Sequence, residues 1–319
     1  MRAVWVEEFG GPEVLVGGEA PDPVAGSGQA LIEVAYSSIT FVETQFRAGV
    51  FNPFSTELPV IPGNGVGGVV ATVGAGADGE LVGKRVVSGT RGSGGYAERV
   101  AVDAGGLFEV PDGLDLADAV ALLADGRTAT MLVRKAGLRE GERALVEAAA
   151  GGVGTLLVQL ARVAGAGVVA VAGGPRKVGL ALDLGADVAV DYLESGWAER
   201  VRETVGGVDV VFDGVGGAVA GSALGLLGRG GRMLSFGMAS GEWASVSEEA
   251  AGRGVELIGP SRPTPEEARA FTEDALAEAA AGRLHPVIGQ RFPLERAADA
   301  HAAIESRATM GKTLLDARR

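Results

Sequence analysis

The sequence has 319 residues, of which 47% are hydrophobic, and this length is sufficient for two hydrophobic cores. Its formal net charge of −13 argues against a nucleic-acid partner, because binding to a phosphate backbone depends on lysine and arginine. The absence of cysteine excludes disulfides, thiolate catalysis and zinc sites built from cysteine. No apolar run reaches the ~18 residues of a membrane span, so we expect a cytoplasmic protein without a membrane partner.

The first part of the chain, residues 1–118, is predicted to form a lobe of short antiparallel strands arranged as a barrel. Apolar segments alternate there with clusters of Gly, Pro and Asp, which is typical of such lobes. A helix is predicted at residues 41–47, within a run that lacks Gly and Pro. The predicted strands are residues 3–6, 30–35, 67–73, 85–88 and 96–102.

From residue 119 to residue 259 the pattern predicts a doubly wound parallel sheet, because continuous apolar strands alternate with helices. The C-terminal segment, residues 260–319, is predicted to contain two helices and a strand and to return to the first lobe. In the second lobe the predicted strands are residues 144–148, 168–172, 208–212 and 232–236, and the predicted helices are residues 152–164, 176–184 and 218–227. The C-terminal segment has predicted helices at residues 265–281 and 294–306 and a predicted strand at 312–315.

A glycine-rich turn between an apolar strand and an apolar helix predicts a dinucleotide site. The turn contains Ala150, Gly151, Gly152, Val153 and Gly154. Because these side chains are small, backbone N–H groups and the positive helix N-terminus could reach a pyrophosphate, and Gly154 would let the helix pack on the sheet.

The next predicted strand indicates which dinucleotide is bound. An NAD site places a carboxylate at its end, but here Gly173 is followed by Arg176 and Lys177. The missing acid and the two cations favour NADPH. The alternative is that the cations belong to a solvated helix start, although cations oppose the helix dipole at that end.

Four motifs carry a family resemblance over nearly the whole chain: EFGGPEVL at 8–15, AAAGGVG at 148–154, SFG at 235–237 and ESRATMGK at 305–312. The sequence resembles the zinc-independent medium-chain dehydrogenases/reductases, and within them the quinone oxidoreductases related to zeta-crystallin. The resemblance implies an α/β protein with a GroES-like antiparallel β-barrel lobe, a Rossmann doubly wound parallel sheet, a cleft between them and a homodimer. It also implies cofactor-binding roles for Thr128, Lys177, Tyr192, Phe236, Gly237, Ile258 and Arg307.

Zinc-dependent relatives bind their metal through Cys, His and Cys, and the matching positions here are Thr40, Asn64 and Ala124. None of these is a credible zinc ligand, so catalysis without a metal is expected. The two histidines, His285 and His301, are expected to be surface or packed residues.

The substrate loop departs from the family pattern of Asn, Asp and Tyr, because Thr40, Glu43 and Gln45 occupy those positions. Thr40 and Gln45 could donate hydrogen bonds to a substrate carbonyl, whereas Glu43 could instead cap or pair within the barrel. Arg127 could attract an acidic or enolate-like oxygen, or it could pair with Asp125.

The expected activity is metal-free hydride transfer from NADPH to a small-molecule quinone or similar conjugated carbonyl. A quinone delocalises the incoming charge, so no strongly tuned acid is needed. Two alternatives remain at this point: an enoyl or enone reductase, and a non-catalytic NADPH-binding sensor.

Overall fold

The computed structural model describes residues 1–52 and 56–318, and the chain divides into two compact units. The first unit combines Met1–Ala124 with Ala275–Arg319, and the second is Asp125–Asp274. Both boundaries of the second unit therefore lie further along the chain than the predicted residues 119 and 259.

Strands and helices are numbered in chain order. The strands are β1 (Arg2–Val6), β2 (Leu15–Glu19), β3 (Gln29–Ile39), β4 (Gly65–Val73), β5 (Arg85–Gly89), β6 (Arg99–Asp103), β7 (Phe108–Glu109), β8 (Arg143–Val146), β9 (Gly167–Ala172), β10 (Val188–Asp191), β11 (Val208–Asp213), β12 (Leu227–Ser235), β13 (Glu256–Ile258), β14 (Ile288–Pro293) and β15 (Lys312–Asp316). The α-helices are α1 (Phe41–Arg47), α2 (Leu116–Ala136), α3 (Gly152–Val163), α4 (Pro175–Asp183), α5 (Trp197–Val205), α6 (Gly217–Leu226), α7 (Glu248–Gly252), α8 (Pro265–Ala280) and α9 (Ala297–Glu305).

The first unit is organised around β3, whose buried residues alternate with exposed or half-buried ones over most of its length. Its main sheet has the order β14-β15-β3-β4-β5-β7, and β6 also pairs with β3. The pairings are antiparallel except for β14 with β15. Val4, Ile32, Val66 and Val86 are buried in its core, because one face of each strand turns inward.

The second unit has a parallel sheet in the order β10-β9-β8-β11-β12-β13. Its central strands are continuous apolar runs, as expected of strands buried on both faces. The chain leaves β8 toward β9 on one side and leaves β11 toward β12 on the other. The carboxyl ends of β8 and β11 therefore form a topological switch point, where crevices for ligands open in sheets of this kind.

These sheets confirm the predicted combination of an antiparallel lobe and a doubly wound parallel sheet. The sequence patterns missed β2, β7, β10, β14, α2, α5 and α7. β2 contains two successive glycines, which weaken a strand signal, and α2 has a glycine inside it, which weakens a helix signal. Within the described ranges, no helix is both long and apolar enough to cross a membrane.

Candidate functional site

The glycine-rich turn of the second unit joins β8 to α3 through a tight backbone path. Ala148 has a positive φ of 45°, a conformation that few residues other than glycine adopt. A Cβ on Gly154 would lie within 2.9 Å of the carbonyl carbon of Ala148 and the Cα of Ala149. Only a glycine fits there without moving the backbone, and the first N–H groups of α3 lack acceptors within the helix. The Gly151 N–H donates to the Ala148 carbonyl at 2.8 Å, so the turn has the geometry of an anion cradle at Gly152, Val153 and Gly154.

A buried acid lies next to this turn. The carboxylate of Asp125 is so close to the Cα of Gly152 that a Cβ there would be 3.0 Å from its Cγ. Arg127, two residues further along α2, is half-buried; burial lowers its pKa and the charge of Asp125 opposes that shift. The pairing of Arg127 with Asp125 stays a prediction.

The end of β9 carries the residues predicted to select the nucleotide. Gly174 has a φ of 93° and precedes α4, whose first residues include the exposed Arg176 and the half-buried Lys177. The ring of Tyr192 lies beside Gly173, since a Cβ on that glycine would be 3.4 Å from the Tyr192 hydroxyl oxygen. Small residues, two cations and a tyrosine are thus brought together at this edge of the sheet.

The end of β12 packs tightly on the loop that follows β11. A Cβ on Gly214 would lie 2.9 Å from Cζ of Phe236, and one on Gly237 would lie 2.8 Å from the Gly214 carbonyl oxygen. The Phe236 N–H also donates to the Asp213 carbonyl at 2.9 Å. Ile258 on the neighbouring β13 pairs in register with Leu234. Phe236 and Gly237 are therefore fixed by glycines that allow close approach.

In the first unit, Glu43 organises the start of α1. Its Oε2 accepts hydrogen bonds from the Thr40 N–H at 2.6 Å and from the Thr40 hydroxyl at 3.0 Å. Its Oε1 accepts from the Asn64 N–H at 2.8 Å. Burial raises the pKa of Glu43, and these donors and the charge of the buried Lys312 oppose part of that shift. The alternative in which Glu43 caps within the barrel is thus confirmed, and a catalytic role for it stays a prediction.

The first unit also contains buried polar side chains: Arg47 at the end of α1, and the contacting pair Tyr96 and His301. The Arg47 guanidinium donates to the Gly10 carbonyl and pairs with Glu305, and it is 1% exposed. The Tyr96 hydroxyl is 2.9 Å from Nε2 of the fully buried His301, whose pKa burial lowers to about 3. The expectation that His301 is a packed residue is confirmed. The sequence patterns did not single out Arg47, Tyr96 or Lys312, because their partners lie far away in the chain.

The remaining predicted residues of the first unit lie near the same helix. Gln45 is half-buried on α1. Arg307 is exposed, has a φ of 58°, and holds its guanidinium 4.9 Å from the centre of the Phe41 ring, a cation–π contact. In the second unit, Thr128 is half-buried on α2.

The three positions that match zinc ligands do not offer a zinc site. The Thr40 hydroxyl donates to Glu43, the Asn64 side-chain oxygen accepts from the Gly92 N–H at 2.9 Å, and Ala124 has only a methyl group. Zinc prefers thiolate, imidazole and carboxylate ligands, so this donor set does not fit the metal. Across residues 1–52 and 56–318, no cluster of three or more His, Cys, Asp or Glu side chains could hold a metal ion.

Comparison with known proteins matches both units. The family described as alcohol dehydrogenase GroES-like domain matches residues 26–112, and the family described as zinc-binding dehydrogenase matches residues 152–278. The quinone oxidoreductase of Rattus norvegicus is 34% identical over 99% of this chain and 97% of its own length. That of Salmonella typhimurium is 35% identical over 97% of each. The crystal structure of Escherichia coli quinone oxidoreductase complexed with NADPH has a TM-score of 0.91 at 31% identity, covering 99% of this chain and 100% of that chain.

Proposed function

Because this chain belongs to the quinone oxidoreductase family of medium-chain dehydrogenases/reductases, we propose that it oxidises NADPH to reduce a quinone or a similar conjugated carbonyl compound. The observation that carries the choice of cofactor is the end of β9. No carboxylate follows this strand at Gly173 and Gly174, and Arg176 and Lys177 begin the next helix. A carboxylate there would repel a 2′-phosphate, whereas these cations attract it.

We assign the pyrophosphate and the 2′-phosphate of the nucleotide to the second unit. The N–H groups at Gly152, Val153 and Gly154 are the donors proposed for the pyrophosphate, and the absence of a Cβ on Gly154 supports this close approach. Tyr192 is proposed to stand with Lys177 beside the 2′-phosphate. Thr128, Phe236, Gly237, Ile258 and Arg307 are proposed as further contacts of the cofactor.

When bound, NADPH supplies the hydride, and the chain's own residues need only bind, orient and exclude water. A quinone accepts the hydride into a delocalised system, so the one proton that completes the hydroquinone can come from solvent. This fits a first unit in which the acid of the loop, Glu43, accepts hydrogen bonds from the start of α1 through one oxygen and from the Asn64 N–H through the other. The amide of Gln45 is proposed to donate to a substrate carbonyl, and the guanidinium of Arg127, in the second unit, is proposed to attract an acidic or enolate-like oxygen.

A substrate panel tests the activity. Steady oxidation of NADPH with 1,4-benzoquinone or 9,10-phenanthrenequinone, undiminished by a chelator, would support the proposal. Turnover with enones or enoyl thioesters but not with quinones would replace it by a double-bond reductase. Tight NADPH binding without turnover on any of these compounds would replace it by a sensor.

A double substitution tests the cofactor site. Each hydrogen bond to a charged group contributes about 1.5 to 3 kcal/mol, so Arg176→Ala with Lys177→Ala should weaken NADPH binding by roughly 10² to 10⁴-fold. The exposure of Arg176 places the expectation at the lower end of that range. NADH has no 2′-phosphate, so its Michaelis constant should change little.

The matched control is Arg200→Ala with Arg269→Ala, which removes one exposed and one half-buried arginine, both ion-paired, from the same unit. It should leave the NADPH constant unchanged. Equal use of NADH by the wild type, or loss of both cofactors in the double variant, would show that Arg176 and Lys177 do not set the preference.

A further inference from the structure

Two carboxyl groups are completely buried at the switch point of the second unit. Glu147 directly follows β8, Asp213 ends β11, and both are 0% exposed. The two strands are neighbours, and the Glu147 N–H donates to the Phe212 carbonyl at 3.1 Å. Both side chains thus lie where the crevice of a doubly wound sheet opens.

The hydrogen bonds divide unequally between the two groups. Asp213 Oδ1 accepts from the N–H groups of Val215 and Gly216 at 3.0 and 2.7 Å, and its Oδ2 accepts from the Ser235 hydroxyl at 2.7 Å. Glu147 Oε2 has only a longer contact of 3.3 Å with the Val215 N–H. Its buried Oε1 receives no hydrogen bond from any residue that the structure describes. Asp213 is therefore solvated as a carboxylate by the chain, and Glu147 is not.

A proton on Glu147 accounts for this arrangement. Two adjacent buried carboxylates repel each other, whereas a protonated carboxyl has an O–H that it can donate to a carboxylate. Burial raises the pKa of Glu147 well above its usual value, and the charge of the neighbouring Asp213 raises the pKa further. The Val215 N–H opposes only part of this shift.

Within the described part of the chain, no hydrogen bond or ion pair joins the Glu147 side chain to a cation. β9, on its other side, and α6 contain no ionisable residue. The one ionisable residue of α3 is Arg162, which pairs with Asp187. Those of β12 are Arg229 and Arg232, and Arg232 pairs with Glu142. The acids beside Gly152 and Gly216 are Asp125 and Glu242.

The pair connects two parts of the proposed cofactor site. Glu147 immediately precedes the glycine-rich turn that begins at Ala148, so an anion there would oppose a pyrophosphate. Asp213 holds the loop of Val215 and Gly216, and the intervening Gly214 packs on Phe236. Ionisation of Glu147 would add charge behind the turn and push against this loop.

We propose that Glu147 is a positioning residue that makes NADPH binding depend on one proton. As a neutral acid hydrogen-bonded to Asp213, it fixes the loop against Phe236 and adds no further negative charge behind the turn. The inference rests on the proposed function, because NADPH is taken as the ligand of this turn.

The test is the dissociation constant of NADPH, measured by fluorescence titration between about pH 7.5 and about pH 9.5. This window avoids the 2′-phosphate, whose second pKa is about 6, and the usual titration of lysine near about 10.4. For the wild type, the constant should rise with pH, approaching about tenfold per unit above the pKa of Glu147. For Glu147→Gln, which keeps a donor but cannot ionise, it should vary by less than about twofold.

Glu203→Gln removes an exposed carboxylate from the same unit and should keep the wild-type profile. If Glu147→Gln does not fold, Glu147→Met supplies a neutral side chain of similar volume. Normal NADPH binding with parallel profiles in the wild type and the Glu147 variant would refute the role of Glu147 alone. No NADPH binding by the wild type at any pH would refute the proposed function itself.

A second readout needs no cofactor. Because the folded pKa of Glu147 lies above its unfolded value, the folded state holds more protons in the interval between the two. The free energy of unfolding should therefore fall as the pH rises through that interval. In Glu147→Gln this fall should be absent, and a slope equal to that of the wild type would overturn the assignment of the proton.

Discussion

Replacing Gly154 with alanine tests the close backbone approach on which the nucleotide site depends. A Cβ there would lie within 2.9 Å of backbone atoms of Ala148 and Ala149, closer than real Cβ contacts. Because backbone cannot move as a side chain does, the turn itself must shift, and overpacking of this kind costs about 1 to 3 kcal/mol. For a unit of this size we expect the melting temperature to fall by about 2 to 4 °C per kcal/mol. The shifted N–H groups should weaken NADPH binding by roughly tenfold or more, equivalent to about 1.4 kcal/mol.

Two other glycines of the same unit provide matched comparisons. A Cβ on Gly152 would meet the carboxylate of Asp125, a flexible side chain, so Gly152→Ala should cost less than Gly154→Ala. A Cβ on Gly179, inside α4, would meet no atom of the described chain within 4 Å, so Gly179→Ala should stabilise by about 0.5 to 1 kcal/mol. Thermal unfolding and NADPH titration of the three variants measure this order. If Gly154→Ala had the same melting temperature and the same NADPH affinity as Gly179→Ala, the close approach of backbone atoms would not be the reason for glycine at position 154.

Two further predictions concern His301 and the edge of the parallel sheet. Because burial lowers the pKa of His301 from 6.5 to about 3, its unfolded form binds a proton that its folded form does not, and stability should be lost as the pH falls through that interval. In the wild type, His301 should lower the free energy of unfolding by up to about 1.4 kcal/mol per pH unit, and His301→Gln should lack this contribution. Urea unfolding of both proteins at pH 7, 5 and 4 would measure it. A difference in stability between the two proteins that is the same at all three pH values would contradict the prediction. The protein is also expected to be a homodimer joined through β13, which ends the sheet and carries the half-buried Leu257 and Ile258. Light scattering at micromolar concentration should then give twice the chain mass of 32.1 kDa, and a monomer would contradict this prediction.

The features that the sequence predicted correctly are those determined by neighbouring residues. The turn before α3 was predictable because its glycines stand between an apolar strand and an apolar helix. The cap of α1 was also visible locally, since Thr40 and Glu43 have the spacing of a capping box. Such patterns need no knowledge of the rest of the fold.

The features that the sequence did not predict depend on residues far apart in the chain. Glu147 reads as one acid before a turn, and only the pairing of β8 with β11 brings Asp213 beside it. Tyr96 and His301 likewise meet only because the C-terminal segment packs back on the first unit. The hydrophobic periodicity of the sequence indicates which residues are buried, but it does not identify the partner of a buried polar group. These pairs were therefore not predicted.

The first unit is built from both ends of the chain, and this affects how it can form during synthesis. On one side, β3 pairs with β4; on the other, residues 29–33 pair with β6 and residues 36–39 pair with β15. The ribosome completes the whole second unit before it reaches β15. Until then, residues 36–39 of β3 expose unpaired backbone groups to other chains. The growing chain is therefore expected to be prone to aggregation until late in translation. A chaperone that covers this part of β3 until Lys312–Asp316 emerges would raise the yield of folded protein.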